Sequence, residues 1–255
     1  MSPTSNSPAR TVLVTGGGRG IGAAVSRLAA RHGWAVAVNF AQGRAAADEV
    51  VKGIRDAGGI ALAIQADVAD IAQVEAMYSQ VDASLPPLGG LVNNAGVVDL
   101  QGRVDETSAA RLQRMFGVNV FGSFYCAREA IRRMSTRHGG QGGNIVNLSS
   151  AAARIGAPGQ YVDYACAKGA IDVFTLGLAK EVATEGIRVN AVRPGIIETD
   201  IHAAGGTPDR ARQMAPLVPL QRAGTAAEVA EAVLWLLSAA SSYTTGAVLD
   251  VTGGR

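Results

Sequence analysis

A β-branched run that ends in a cluster of glycines and opens at once into a helical repeat restricts this chain more than any other feature. Thr11 to Thr15 reads TVLVT, a composition suited to a buried strand. Gly16-Gly17-Gly18-Arg19-Gly20-Ile21-Gly22 follows, then a helical pattern through Ala23, Val25, Leu28 and Ala29. Glycine lets the backbone turn tightly and approach a pyrophosphate, and the next helix offers free N–H groups and the positive end of its dipole. Gly16, Arg19, Gly20, Ile21 and Gly22 are therefore candidate contacts to a dinucleotide. The spacing is G-x-x-x-G-x-G. A shifted frame, Gly18-x-Gly20-x-x-Ala23, matches the alternative G-x-G-x-x-G, but the strand ends at Thr15, which favours Gly16 as the first glycine.

Behind this opening, strands and helices alternate to the end of the chain. Further strands are expected at 35–40, 60–65, 90–92, 144–148, 188–192 and 247–251. Helices are expected at 45–57, through Ile71, Val74, Met77 and Val81, over 108–137, and around Tyr164 with an apolar stripe of Ile171, Phe174, Leu178 and Val182. Thr225 with Glu228 three residues later forms a capping box for a last helix carrying Val229, Val233, Leu236 and Leu237. The pattern predicts an α/β fold: a single-domain, Rossmann-type, doubly wound and mostly parallel sheet of seven strands with helices on both faces. That domain spans 11–255, and the Ser/Pro-rich residues 1–10 read as a disordered tail. Residues 196–224, with Pro208, Pro216 and Pro219, read as a long irregular loop and hence a functional lid.

Charge and cysteine content narrow the partners. The formal net charge is +2, and the densest basic cluster (Arg132, Arg133, Arg137, His138) falls at a helix end, where cations complement the dipole. No basic stretch carries interleaved aromatics, so a nucleic-acid partner is not expected. No apolar run has membrane-spanning length and residues 1–10 lack the apolar centre of a signal peptide, which points to a cytoplasmic protein without a membrane partner. Cys126 and Cys166 lack metal-ligand spacing and are expected as buried free thiols in a reducing compartment.

Chemistry concentrates at Tyr164-Ala165-Cys166-Ala167-Lys168. Residues four apart share one face of a helix, and an ammonium beside a phenol favours the phenolate. Tyr164 is thus a candidate proton donor and acceptor, with Lys168 tuning it. At the end of the second strand, a carboxylate would suit the ribose hydroxyls of NAD. The chain has Asn39 and Phe40 there instead, flanked by Arg19 and Arg44, which suit a 2′-phosphate; NADP is expected, with NAD as the alternative. Asp67-Val68, after the third strand, can meet an adenine amino group, although Asp67 could equally cap the next helix. Asn93-Asn94 can tie neighbouring strands, and Ala95-Gly96 leave room for a flat cofactor. Asn119, a polar amide on an apolar helical face, needs a partner, and taken by itself it reads better as a satisfied core amide than as a functional group.

The ordered set Thr15-Gly16-x-x-x-Gly20-Ile21-Gly22, Asp67, Asn93-Asn94-Ala95-Gly96, Asn119, Ser150, Tyr164-x-x-x-Lys168 and Pro194-Gly195 resembles the short-chain dehydrogenase/reductase family over about residues 10–255. The carboxyl-terminal half is most similar to members labelled glucose or 3-oxoacyl-carrier-protein dehydrogenases. The resemblance implies a catalytic tetrad of Asn119, Ser150, Tyr164 and Lys168. In it Tyr164 passes a proton, Ser150 holds the substrate oxygen, Lys168 bonds the nicotinamide ribose, and Asn119 holds a relay water. It selects Ser150, the second residue of the Ser149-Ser150 pair. It also implies cofactor contacts from Asn94, Pro194, Gly195, Ile197 and Thr199, a small carbonyl or secondary alcohol substrate, and a homotetramer packed through two long helices. The competing reading is a catalytically idle NADP-binding sensor or scaffold, which would be expected to have lost tetrad members.

Overall fold

A computed structural model describes residues 10–199 and 205–255. Residues 1–9 of the expected tail, and Asp200, Ile201 and His202 of the expected lid, lie outside the described residues. The strands are β1 (Thr11–Val14), β2 (Ala35–Phe40), β3 (Ala61–Gln65), β4 (Leu88–Asn93), β5 (Gly143–Leu148), β6 (Ile187–Pro194) and β7 (Val248–Val251). They form one sheet in the order β3-β2-β1-β4-β5-β6-β7, every neighbouring pair parallel. The order reverses between β1 and β4, which opens a crevice at the carboxyl ends of the strands, where such sheets bind ligands.

Side chains alternate across β1: Val12 and Val14 face one core, Leu13 the other. On the first face pack α1 (Gly20–Arg31), α2 (Arg44–Asp56) and α9 (Ala226–Leu237); on the second pack α3 (Ile71–Ser84), α5 (Gly122–Met134) and α7 (Val162–Val182). The capping box at α9 is present, with Glu228 N donating to Thr225 Oγ1 at 3.2 Å and Thr225 N to Glu228 Oε2 at 2.8 Å. The Asp67 alternative resolves as well: Asp70 caps α3 by accepting from Ala72 N and Gln73 N, which leaves Asp67 to form a local turn with Ala69 N at 2.9 Å.

Three expectations change. The helix expected over 108–137 is α4 (Ala109–Phe116), a π-helical turn at Gly117–Phe121, and α5. The wide turn lies where Asn119 points inward and where Gly122 meets Val68; an added methyl on Gly122 would sit 2.7 Å from Val68 Cγ2. The 196–224 segment is not wholly irregular, because it contains α8 (Arg210–Met214) and a 3₁₀ turn at Ala215–Leu217. Its two ends are pinned together by Glu198 N to Gly224 O and Gly224 N to Ile196 O, both 2.9 Å. Of the two cysteines only Cys126 is buried; Cys166 lies on the outer face of α7, since it is two residues from the inward Tyr164 and Lys168. The remaining short helix, α6 (Ala152–Ile155), begins four residues after the end of β5.

Candidate active site

The glycine turn between β1 and α1 is held from three sides. Gly16 and Gly20 take left-handed φ values of +61° and +52°. Asn39, 1 % exposed at the end of β2, accepts from Gly16 N at 3.2 Å through Oδ1 and donates to Ala66 O at 3.0 Å through Nδ2. Thr15 Oγ1 accepts from the backbone N–H of Asn94 and of Ala95, both at 3.0 Å, and Asn94 Nδ2 donates back to Thr15 O at 2.8 Å and Gly16 O at 3.1 Å. A methyl on Gly22 would collide with the Gly16 carbonyl. Every one of these bonds is internal, so the amides of the α1 amino terminus stay free: Arg19 supplies no side-chain cap and the first turn has no acid.

Gly16, Arg19, Gly20, Ile21, Asn39 and Asn94 wall a cavity of about 480 Å³ together with Phe40, Asp67, Val68, Ala95, Gly96 and Thr199, while the expected contact Gly22 is outside the wall, packed against Gly16. A left-handed glycine turn, an uncapped helix amino terminus and a cationic Arg19 beside it fit a dinucleotide phosphate. Two expected contacts are placed differently. Asn39 reaches the cavity wall, but its amide is engaged as a brace for the turn. Arg44 is outside the wall; its guanidinium stacks 5.2 Å from the Phe40 ring centroid and lies 3.9 Å from Asp48.

A second cavity of about 300 Å³ adjoins the first and is lined by Gly96, Ser150, Tyr164, Lys168, Pro194, Gly195, Ile197 and Thr199 among others. Ser149 turns away, its Oγ donating to Lys168 O at 3.2 Å, whereas Ser150, whose Oγ accepts from Ala152 N at 3.1 Å, lines the cavity together with Tyr164. Lys168, 3 % exposed, donates from Nζ to Leu148 O at 2.7 Å and sits 5.7 Å from the Tyr164 ring centroid. Asn119 is fully buried: Nδ2 donates to Met115 O at 2.9 Å and Val97 O at 3.0 Å, and Oδ1 accepts from Val97 N at 3.2 Å. Its side chain is thus a satisfied core amide that anchors the Gly96–Val97 strand exit to the π turn, and an added methyl on Gly96 would sit 2.9 Å from its Oδ1.

The electrostatics depart from the sequence expectation. Burial pushes the Tyr164 phenol up to about 12, against the neighbouring Ser150 hydroxyl, which lowers it. Burial also pushes the Lys168 ammonium down to about 8, partly offset by the carboxylate of Asp172 one turn further along α7. Removing both groups from water penalises the charged form of each, and this desolvation outweighs the pull of lysine on tyrosine. The protein alone therefore holds a protonated phenol next to a lysine that titrates near neutral pH.

Asn93 ties neighbouring strands, as its place at a strand end implies, whereas Asn147, Arg111, Arg210 and Arg255 carried no signal in the sequence. Asn93 Nδ2 donates to Asn147 Oδ1 and Asn147 Nδ2 to Thr175 Oγ1, each at 2.9 Å, tying β4, β5 and α7 behind the site. Arg111 forks onto Asp163 at 2.7 and 3.2 Å and fixes the start of the Tyr164 helix. Arg210 and Arg255 reach the second cavity from the far end of the chain.

The family model described as Enoyl-(Acyl carrier protein) reductase matches residues 16–255. The oxidoreductase YgfF of Escherichia coli is 52% identical over 243 residues, 95% of this chain and 98% of that protein. A short-chain dehydrogenase/reductase structure from Serratia marcescens superposes with a TM-score of 0.88 at 35% identity, covering 96% of this chain and 97% of that one. A gluconate 5-dehydrogenase from Burkholderia cenocepacia, solved in complex with NADP and tartrate, gives 0.87 at 32% identity, covering 96% and 94%. With a matching family model over nearly the whole chain, and a sheet whose reversal point carries the glycine turn beside the Ser150–Tyr164–Lys168 cluster, this chain belongs to the short-chain dehydrogenase/reductase family of oxidoreductases.

Proposed function

We propose that the chain is a cytoplasmic, NADP-dependent reductase or dehydrogenase that interconverts a small carbonyl compound and its secondary alcohol, with Tyr164 as the acid/base. The supporting observation is the convergence of Ser150, Tyr164 and Lys168 on the wall of the second cavity, next to the glycine-turn cleft. When bound, the nicotinamide supplies or accepts the hydride. The glycine turn, the α1 amino terminus and Arg19 would hold the phosphates, with Arg44 close enough in sequence and space to Phe40 to meet a 2′-phosphate. Asp67 and Val68 would meet the adenine, and Asn94 to Gly96 with Pro194, Gly195, Ile197 and Thr199 would frame the nicotinamide end. NADP in the Burkholderia relative supports the same choice here.

In the reductive direction Ser150 and Tyr164 both hydrogen-bond the substrate oxygen. As hydride reaches the carbonyl carbon, Tyr164 transfers its proton to that oxygen and is left as phenolate. A phenol at about 12 keeps its proton at neutral pH and so begins the step in the donor form. Protonated Lys168 then stabilises the phenolate until the proton is replaced. The oxidative direction runs these transfers backward. The segment 196–224, pinned at its base, would act as the lid. Phe121, Phe124, Val173 and Leu176, all exposed on the π turn, α5 and α7, support a homotetramer built on those helices.

The test is Tyr164→Phe. Carbonyl-dependent NADPH consumption should fall by about 10²–10⁴-fold while NADPH binding persists. Surviving turnover removes Tyr164 from the acid role. Tight NADPH binding by the wild-type chain without turnover of any carbonyl would favour the sensor reading.

A further inference from the structure

The lining of the second cavity is largely apolar, with Val98, Leu148 and Ile155 in it, and it includes the hydroxyl residues Ser150 and Tyr164. Among the described residues the charged side chains of its wall are Lys168, Arg210 and Arg255, with no acidic side chain beside them. Lys168 is engaged with Leu148 O. The two arginines are not neutralised by any ion pair among the described residues.

Both guanidiniums are placed by the fold. Arg210 opens α8, stacks 5.4 Å from the Tyr161 ring centroid and donates from Nη2 to Gln160 Oε1 at 2.8 Å. Tyr161 is itself fixed, 8 % exposed and donating to Gly205 O at 3.1 Å. Arg255 follows β7, whose Val251 pairs with Pro194 of β6. The chain is then tied by Leu220 N to Gly253 O at 3.1 Å, and Gly253 and Gly254 turn with φ of +66° and +96°. That turn brings Arg255 to the cavity, where Nη1 is buried without a hydrogen-bond partner. A buried cationic donor lacking an acceptor is an unfavourable state that an anion would relieve.

Resting on the reductase reading above, we propose that the substrates are small oxo and hydroxy acids, their carboxylate held by Arg210 and Arg255 while the reacting carbon lies at Ser150 and Tyr164. The planar guanidinium fork matches a carboxylate, the apolar wall accepts a short carbon body, and about 300 Å³ is at the small end of ligand sites.

The test follows NADPH consumption with 4-oxocyclohexanecarboxylate and with its methyl ester, in the wild-type chain, Arg210→Gln and Arg255→Gln. A charge-assisted contact predicts kcat/KM about tenfold to a hundredfold higher for the acid, and a ratio that collapses toward one in each variant, mainly through KM. As a readout without turnover, cyclohexanecarboxylate should raise the melting temperature of the NADPH-loaded wild-type chain, its amide should not, and both variants should lose the effect. An ester used as well as the acid, or an acid preference that survives both substitutions, overturns the carboxylate assignment and leaves the reductase reading standing. If no carbonyl is consumed, the reductase reading fails, and the carboxylate-specific melting shift still decides whether the arginines hold an acid.

Discussion

Lys168→Met tests the electrostatic description of the site most directly. The wild-type ammonium is 3 % exposed, and burial holds it at about 8 rather than the ordinary 10.5. The unfolded chain therefore binds more protons than the folded one between these values, so folded stability rises as pH climbs through that window. At pH 7 the charged lysine costs about 3 kcal/mol, and at pH 9.5 about 1.4 kcal/mol, from 1.36 kcal/mol per pKa unit and the two protonation equilibria. Methionine has no such dependence, but it leaves Leu148 O without its donor, which costs about 1–3 kcal/mol at every pH. The variant should thus match or exceed the wild type at pH 7, and the wild type should gain on it by about 2 kcal/mol between pH 7 and 9.5. In melting temperature the gain is about 4–8 °C for a chain of this size. Thermal unfolding of both proteins across that range is the assay. Parallel pH curves for the two would refute the claim that Lys168 is held by burial close to neutrality.

Further substitutions separate scaffold from cofactor site. Arg111→Met should destabilise the fold by about 3–5 kcal/mol in denaturant unfolding, because it strands the buried Asp163 carboxylate at the start of α7, and adding Asp163→Asn should restore part of the loss. Arg19→Ala and Arg44→Ala should each lower the preference for NADPH over NADH by about tenfold, read from the two dissociation constants. An unchanged ratio in both would place the 2′-phosphate elsewhere.

What the sequence determined by itself is the part governed by local rules. TVLVT followed by glycines could not continue as a strand, and the alternation of periods two and 3.6 dictated a doubly wound parallel sheet before any contact was known. The four-residue spacing of Tyr164 and Lys168 placed them on one helical face for the same reason, and the Thr225/Glu228 cap needs only its own turn. Tertiary structure decided whatever depends on surroundings. Asn119 and Asn39 look alike as polar residues in apolar runs, yet only packing shows that both amides are engaged as braces. The π turn at Gly117–Phe121 has no periodicity signal, because one extra residue in a helix is visible only through what it packs against. The Tyr164 phenol is pushed up where the spacing alone predicts it down, since spacing reports the neighbouring charge and not the desolvation. Arg210 and Arg255 lie 46 and 91 residues beyond Tyr164, and only the pairing of β6 with β7 and the pinned 196–224 segment bring them to the same cavity.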